Sequence, residues 1–399
     1  MFWGFIPVIT RTKNKLLNLP RDFQLFIAAT FVFGFSQSIV DSTFNNFLNE
    51  TFLISNLQRG LLEFPRELPG LLVVFVSAIL FFLCSRRQAF LANILCAIGI
   101  LFIGFYSPTF SIMLIWLFIF SVGQHLFLPL NQSIGMELAT EGKTGKRLGQ
   151  FSAVANVAMI IGSFAIFIGF KFFNLDFKMS YVVAFLGFFT VATLIFLMKE
   201  DEPVSARMKF QLRKEYKLYY WLSILYGTRK QIFLTFAPWV LVTVFKQKTQ
   251  VLATLLAVGG VIGIFFKPML GKAIDKLGER VILTSEAVML VFVCIGYGFA
   301  REIFTETAAM FIAFTCYILD QLLMSVGMAR ATYLQKIAVK PEDVTQTLTM
   351  GVSIDHIFSI GIAVSGGFIW LKLGYQYVFL LGAIIAVINF FSALRIKTR

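Results

Sequence analysis

The stretch LLEFPRELPG, residues 61–70, sets Glu63, Arg66 and Glu67 between and beside two prolines, inside a run from about Leu57 to Leu83 that is otherwise apolar. At the centre of a bilayer, the medium such runs suit, a charge costs roughly 2.5–3.5 kcal/mol. A chain that keeps charges there must give each one a counter-charge or a wet cavity. Arg59, Glu63, Arg66, Glu67 and Gly70 follow the spacing i, i+4, i+7, i+8, i+11. That spacing puts them on one face of a helix. Their charges cancel, so neighbours can pair. Pro65 and Pro69 each remove a backbone donor and are expected to kink the helix. The stripe fits one wall of a cleft. Its plainer reading is an ion-pair network that fixes packing.

Other apolar stretches carry matching groups. Gln37, Asp41 and Asn45 recur every fourth residue, flanked by Ser38, Ser42 and Asn49. Asp41 comes close to the expected height of Arg66, and an Asp41–Arg66 pair is expected. Arg229 and Lys230 lie about ten residues into YYWLSILYGTRKQIF. Lys230 shares a face with Tyr219, Ser223 and Tyr226, and Arg229 points about 100° away. Asp320 and Gln321, Asp355 and His356, and Gln124 and His125 occupy similar depths. The two histidines are the only ones in the chain. Imidazole titrates near neutrality and suits proton relay, although a buried histidine is as often a packing residue. Three kinds of chemistry are open to this set. Arg66, Arg229 and Lys230, with Gln37, Asn45, Gln124, Tyr226, Tyr317 and Gln321, suit solute recognition. Asp41, Glu63, Glu67, Asp320, Asp355, His356 and His125 suit proton coupling. Any of them can pair for structure alone. Trp239 and Tyr297 are weaker candidates for an organic solute.

These groups need long apolar elements to hold them. The chain has 399 residues, of which 58% are hydrophobic and only 14% charged, against about 25% charged in soluble domains. That excludes a water-soluble globule. A spanning helix takes about 20 apolar residues, and twelve candidates fill the chain: 24–48, 58–82, 88–107, 109–136, 148–171, 178–198, 217–245, 249–272, 280–300, 304–332, 344–371 and 375–395. The runs are about twice the length of barrel strands, so the fold class is an all-α membrane protein. The net charge of +14 follows the positive-inside bias rather than nucleic-acid binding. About 23 of the 35 Lys and Arg fall on one side, among them Arg11, Lys13, Lys15, Arg86, Arg87, Lys143, Lys146, Arg147, Lys276, Arg280, Lys397 and Arg399, and about seven on the other. Both termini are expected on the cytoplasmic side, in a cell inner (plasma) membrane. MFWGFIPVIT is too short to span and reads as a lipid-surface anchor. Cys84, Cys96, Cys294 and Cys316 have no metal spacing and read as apolar fillers.

A polar stretch, KEDEPVSARMKFQLRKEY at 199–216, divides the chain into six candidate spans on each side. Residues 1–198 and 217–399 are expected to form two six-helix bundles joined by this cytoplasmic linker. The halves echo at an offset of 192, where TFNNFL at 43–48 meets TFAPWV at 235–240. Between the eighth and ninth spans stands GKAIDKLGER, residues 271–280. Here the chain resembles the major facilitator superfamily, whose members carry a G-x-x-x-D-x-x-G-[RK]-[RK] loop at this place in each half. Gly271, Asp275, Gly278 and Arg280 match, and Glu279 departs from the usual base. The first-half copy, SAILFFLCSRR at 78–87, keeps Arg86 and Arg87 but has neither acid nor glycine. The fourth span lacks the Arg of many proton-coupled members, and the fifth lacks the Gly-Pro signature of drug/proton antiporters, so the subfamily stays open.

The resemblance implies twelve helices in two bundles around a central cavity, alternating access, and a gating role for Gly271, Asp275, Gly278 and Arg280. It implies a secondary active transporter, without cofactor or metal, for a small organic solute. The deep cations favour an anionic or zwitterionic solute, with protons as the coupling ion. The alternative is a proton-coupled multidrug or cation exporter, since the deep acids attract cations. A polytopic membrane enzyme is remoter, because H-E-x-x-H and G-x-S-x-G are absent. A receptor or scaffold built on the same fold is the last alternative. No nucleic-acid partner and a monomeric chain are expected.

Overall fold

The computed structural model describes residues 20–80, 82–139, 144–200 and 213–397. The expected N-terminal anchor, the positions of both termini, Lys143 and most of the 199–216 linker lie outside the described residues. Among those described, every regular element is helical and none is a strand. In lipid each backbone N–H and C=O must be satisfied within the segment, and a helix does this.

The chain runs α1 (Arg21–Phe47), α2 (Asn56–Leu61), α3 (Glu63–Ile79), α4 (Ser85–Phe105), α5 (Phe110–Glu137), α6 (Thr144–Phe172), α7 (Phe177–Phe196), α8 (Lys217–Thr243), α9 (Thr249–Ile303), α10 (Glu306–Leu323), α11 (Gly327–Ile337), α12 (Pro341–Leu373) and α13 (Tyr375–Ala393). Polar caps mark several starts. Ser55 and Gln58 form a capping box at α2, and Asp176 accepts from the Met179 amide at 2.7 Å to open α7. Such caps satisfy amides that the first turn leaves free.

Nine stretches among the described residues are long and apolar enough to cross a membrane, so the chain is an integral membrane protein. The count departs from the expected twelve at three places. The 58–82 run is broken at Leu62 into α2 and α3, where Pro65 cannot donate to Leu61, whereas α3 runs on through Pro69. The 217–245 run forms one helix, α8, but its interior carries Arg229, Lys230 and Gln231. The 249–272 and 280–300 runs are two helices, as expected, but they follow each other directly across a kink at Gly278, with φ 81° and ψ 162°, and are numbered together as α9. Glycine takes this left-handed backbone without a Cβ clash.

In the first half of the chain, α1 packs on α6 and α7, and α4 on α5 and α7. In the second half, α9 packs on α10 and α13, and α8 on α12 and α13. The halves meet where α6 lies along α9 and where α12 crosses α2 and α3. The second crossing is close. A Cβ on Gly60 would stand 2.5 Å from the Ala363 carbonyl oxygen and 3.0 Å from the Gly367 Cα. Small residues allow helix backbones to approach this way in membranes. At the same end, the Trp239 indole donates to Asn56 Oδ1 at 2.8 Å, and the Asn46 amide donates to the Gln247 carbonyl at 3.0 Å. Polar and small-residue contacts therefore seal the halves together near the α1–α2 turn.

Candidate functional site

A cavity of about 290 Å³ lies between the two halves. Its floor and walls are apolar, from Val40, Phe44, Phe120, Phe233 and Leu256. Into it project eight polar groups singled out from the sequence: Gln37, Asp41, Asn45, Arg66, Gln124, Tyr317, Asp320 and Gln321. They come from α1, α3, α5 and α10, so both halves build the site. Convergent polar groups in a mostly apolar hollow are the usual form of a small-molecule site.

The opening stripe is a chain of contacts along one wall. Glu63 is fully buried and accepts from Arg59 Nη1 at 2.5 Å, from Arg66 Nη1 at 3.3 Å and from Gln231 Nε2 at 3.2 Å. Arg59 is buried as well, and its Nε donates to Asn45 Oδ1 at 3.1 Å. The expected Asp41–Arg66 pair is not formed. Arg66 turns toward Glu63, three residues away on its own helix, and Asp41 accepts from its own helical neighbour Gln37 at 2.9 Å. Local i, i+3 and i, i+4 contacts need no interhelical reach. Gln37 in turn accepts from Gln124. Arg66 keeps 29% of its side chain exposed and so stays open to the cavity.

In the second half the cations have acids of their own. Arg229 pairs with Asp320 across α8 and α10, with both side chains almost fully buried. Lys230 Nζ meets Asp355 Oδ2 at 2.6 Å, and Ser359 holds the other oxygen at 3.2 Å. Tyr226 does not face the cavity. It lies under the Arg330 guanidinium, 3.7 Å from its ring centroid, and its hydroxyl donates to the Met324 carbonyl at 3.4 Å. Trp239 and Tyr297 are fully buried, with Trp239 bound to Asn56 and Tyr297 to the Ala237 carbonyl. Of the aromatics considered from the sequence, only Tyr317 lines the cavity.

Both histidines meet at the seam. His356 Nδ1 lies 2.8 Å from Glu67 Oε2 across the halves. The His125 and His356 rings are edge to face with centroids 5.1 Å apart. Gly70 makes room for them, since a Cβ there would sit 2.6 Å from an atom of each ring.

At the α9 turn, Gly278 makes the bend, while Asp275 and Arg280 are exposed. Gly271 is half-buried and has open space beside it. The contact there runs from Glu279, the residue that departs from the motif, to Lys336 at 2.9 Å. In the first half Arg86 binds Glu137 at 2.7 Å, and Arg87 binds Glu200 and covers the Phe196 ring.

Sequence reasoning missed Gln231, which joins α8 to Glu63, and the buried Arg330–Glu286 pair at 3.4 Å. The depth rule that picked out Asp320 applies equally to Glu286 in the 280–300 run, so the signal was there. Gln231 follows Lys230 directly and is of the same type and depth as Gln37, Gln124 and Gln321, so its signal was there too.

A family model described as the Major Facilitator Superfamily matches residues 26–353. No curated protein matches the chain. Among solved structures, it is similar to the nucleoside transporter NupG, with a TM-score of 0.71 and 14% identity, over 96% of this chain and 100% of that one. It is similar to a D-xylose-proton symporter, with a TM-score of 0.71 and 13% identity, over 95% and 98%. A POT family transporter in complex with 5-aminolevulinic acid gives a TM-score of 0.72 and 12% identity, over 93% and 95%. At these identities the likeness is one of fold.

Proposed function

The chain belongs to the major facilitator superfamily, and on that premise we propose that it is a secondary active transporter for a small anionic or zwitterionic organic solute. In this reading twelve spans form two six-helix bundles, residues 1–198 and 217–399, joined by a cytoplasmic linker. The bundles rock about the cavity. The observation that carries the substrate class is the state of the charges. Asp320, Asp355, Glu63 and Glu67 are each engaged by a cation or an imidazole. Among the described residues Asp41 has one hydrogen bond, from the amide of Gln37, and no ion pair within 4 Å, while Arg66, near enough to act on it electrostatically, is the cation left partly open on the cavity wall. One free acid and one accessible cation suit a solute that carries an ammonium and a carboxylate. They suit a bulky cation less well, because three of the five deep acids are paired with Arg or Lys and a fourth, Glu67, is bound to an imidazole. 5-Aminolevulinic acid, the compound held by one fold relative, has both charges.

Protons are the proposed coupling ion. Asp41 can take one without breaking an ion pair, and the Glu67–His356 contact spans the interface that rocking must open. A fold relative is a D-xylose-proton symporter. The seal near the α1–α2 turn supports a state closed on that side, and the turn that carries Gly271, Asp275, Gly278 and Arg280 is the proposed gate on the other.

The test is a ligand panel on the purified protein. Amino acids, short organic acids and organic cations are each added, and the melting temperature is recorded. Zwitterions or organic anions should stabilise the wild type, and Arg66→Gln should remove the effect. Stabilisation by organic cations alone, retained in Arg66→Gln and lost in Asp41→Asn, would favour the cation exporter instead.

A further inference from the structure

Glu67, His125 and His356 each present one ligand atom, and these atoms lie within 4.8 Å of one another. We propose that they form a site for a divalent transition-metal ion of the zinc class, and that the bound ion clamps the two halves in the arrangement described here. The donor set is two imidazoles and one carboxylate, a combination zinc uses with a fourth position left for water. Zn–N and Zn–O bonds of about 2.0–2.2 Å place the donors of a tetrahedral ion roughly 3.4 Å apart. Closing from 4.8 Å needs rotamer adjustments of about an ångström, not movement of helices.

Three features prepare the site. The first is orientation. His125 Nδ1 lies 3.0 Å from both the Ser121 backbone carbonyl and Ser121 Oγ, and since that hydroxyl donates to the Arg66 carbonyl, both oxygens accept from Nδ1, which carries the proton and leaves Nε2 its lone pair. Such backbone partners fix the tautomer of metal-ligating histidines. The second is space. Gly70 is the surface on which both rings rest, and any side chain there would push them apart. The third is charge. Of the nearby cations, Lys230 is paired with Asp355 and Arg66 with Glu63, although Arg66 also acts electrostatically on Glu67 and His125. Glu67 itself is held only by His356 among the described ion pairs.

The clamping follows from where the donors come from. Glu67 on α3 and His125 on α5 belong to the first half of the chain, and His356 on α12 to the second. An ion bound to all three ties the halves together. This last step rests on the proposed rocking of the halves, while binding itself does not.

Two measurements keep these apart. Zinc chloride is titrated into the detergent-purified full chain, previously stripped with a chelator, and bound metal and melting temperature are recorded. The wild type should bind one ion and melt at a higher temperature with zinc than without. His125→Gln and His356→Gln should each weaken binding by at least the 10–100-fold that loss of a supporting partner costs. Binding by both variants as tight as that of the wild type would overturn the site, and would point to the cysteines or other groups. Absence of any binding by the wild type would overturn it too. In liposomes zinc should arrest solute flux and a chelator restore it. Binding at the site with unaffected flux would overturn the clamp. Gly70→Ala, which leaves all three ligands in place, should weaken zinc binding as well.

Discussion

Glu63 and Arg59 are both fully buried, but they are not equally dependent on each other. Glu63 has two cations, Arg59 at 2.5 Å and Arg66 at 3.3 Å, and the amide of Gln231. Among the described residues Arg59 has Glu63 as its one acid, and beyond it Asn45 Oδ1. Removing one partner of a buried pair costs about 3–5 kcal/mol, because an uncompensated charge remains. Glu63→Gln therefore falls in that range. Arg59→Met leaves Glu63 with Arg66, so its cost drops to about 1–3 kcal/mol, the size of an unmet buried hydrogen bond. The double variant Arg59→Met, Glu63→Gln removes both charges and should lie near or below the Arg59→Met value. For a chain of this length about 1 kcal/mol moves the melting temperature by roughly 1–2 °C. The order of melting temperatures in detergent should be wild type first, then the double variant and Arg59→Met close together, with Glu63→Gln lowest. If the single losses simply add in the double variant, or if Arg59→Met is the worse of the two singles, the asymmetry read from the contacts is refuted.

Asp41→Asn should abolish pH-driven accumulation while shifting stability by less than about 1 kcal/mol, since its partner is a neutral amide; thermal melting beside uptake checks both. Lys230→Met should lower the melting temperature less than Arg229→Met, because the Lys230–Asp355 side chains are 18% and 13% exposed and the Arg229–Asp320 pair only 2% and 3%. Gly60→Leu should destabilise the seal and lower flux, because the added side chain meets the Ala363 backbone at 2.5 Å; melting temperature in detergent beside uptake in liposomes checks both. A reporter fused after Arg399 should read as cytoplasmic, and an external reading would contradict the charge bias.

The charged positions were legible in the sequence because lipid leaves a lone charge almost no cheap place. Asp41, Arg66 and Asp320 were found that way, and they do line the cavity. Their partners were not legible. Pairing depends on helix rotation and on which helices are neighbours, and a one-dimensional depth estimate contains neither. Hence Arg66 was matched with Asp41 by height, whereas the structure gives it Glu63 on its own helix. The break at Leu62 was half legible, since Pro65 and Pro69 predict a kink but not which bond yields. The two helices of α9 were legible as separate runs, but the tightness of the bend between them was not, because a single positive φ at Gly278 turns the chain without a loop of its own. Trp239 and Tyr297 illustrate the same limit, because an aromatic type carries no information about which side of a helix faces a cavity.

The central claim is that the cavity between the halves moves a charged organic solute at the expense of a proton gradient. Purified protein in liposomes, with an imposed pH gradient and no ATP, tests it most directly. A zwitterionic or anionic solute should accumulate above its outside concentration, the accumulation should vanish when a protonophore collapses the gradient, and Arg66→Gln should prevent it. Solute entry that only equilibrates and ignores the protonophore would contradict the coupling, and flux undiminished in Arg66→Gln would contradict the assignment of the cavity.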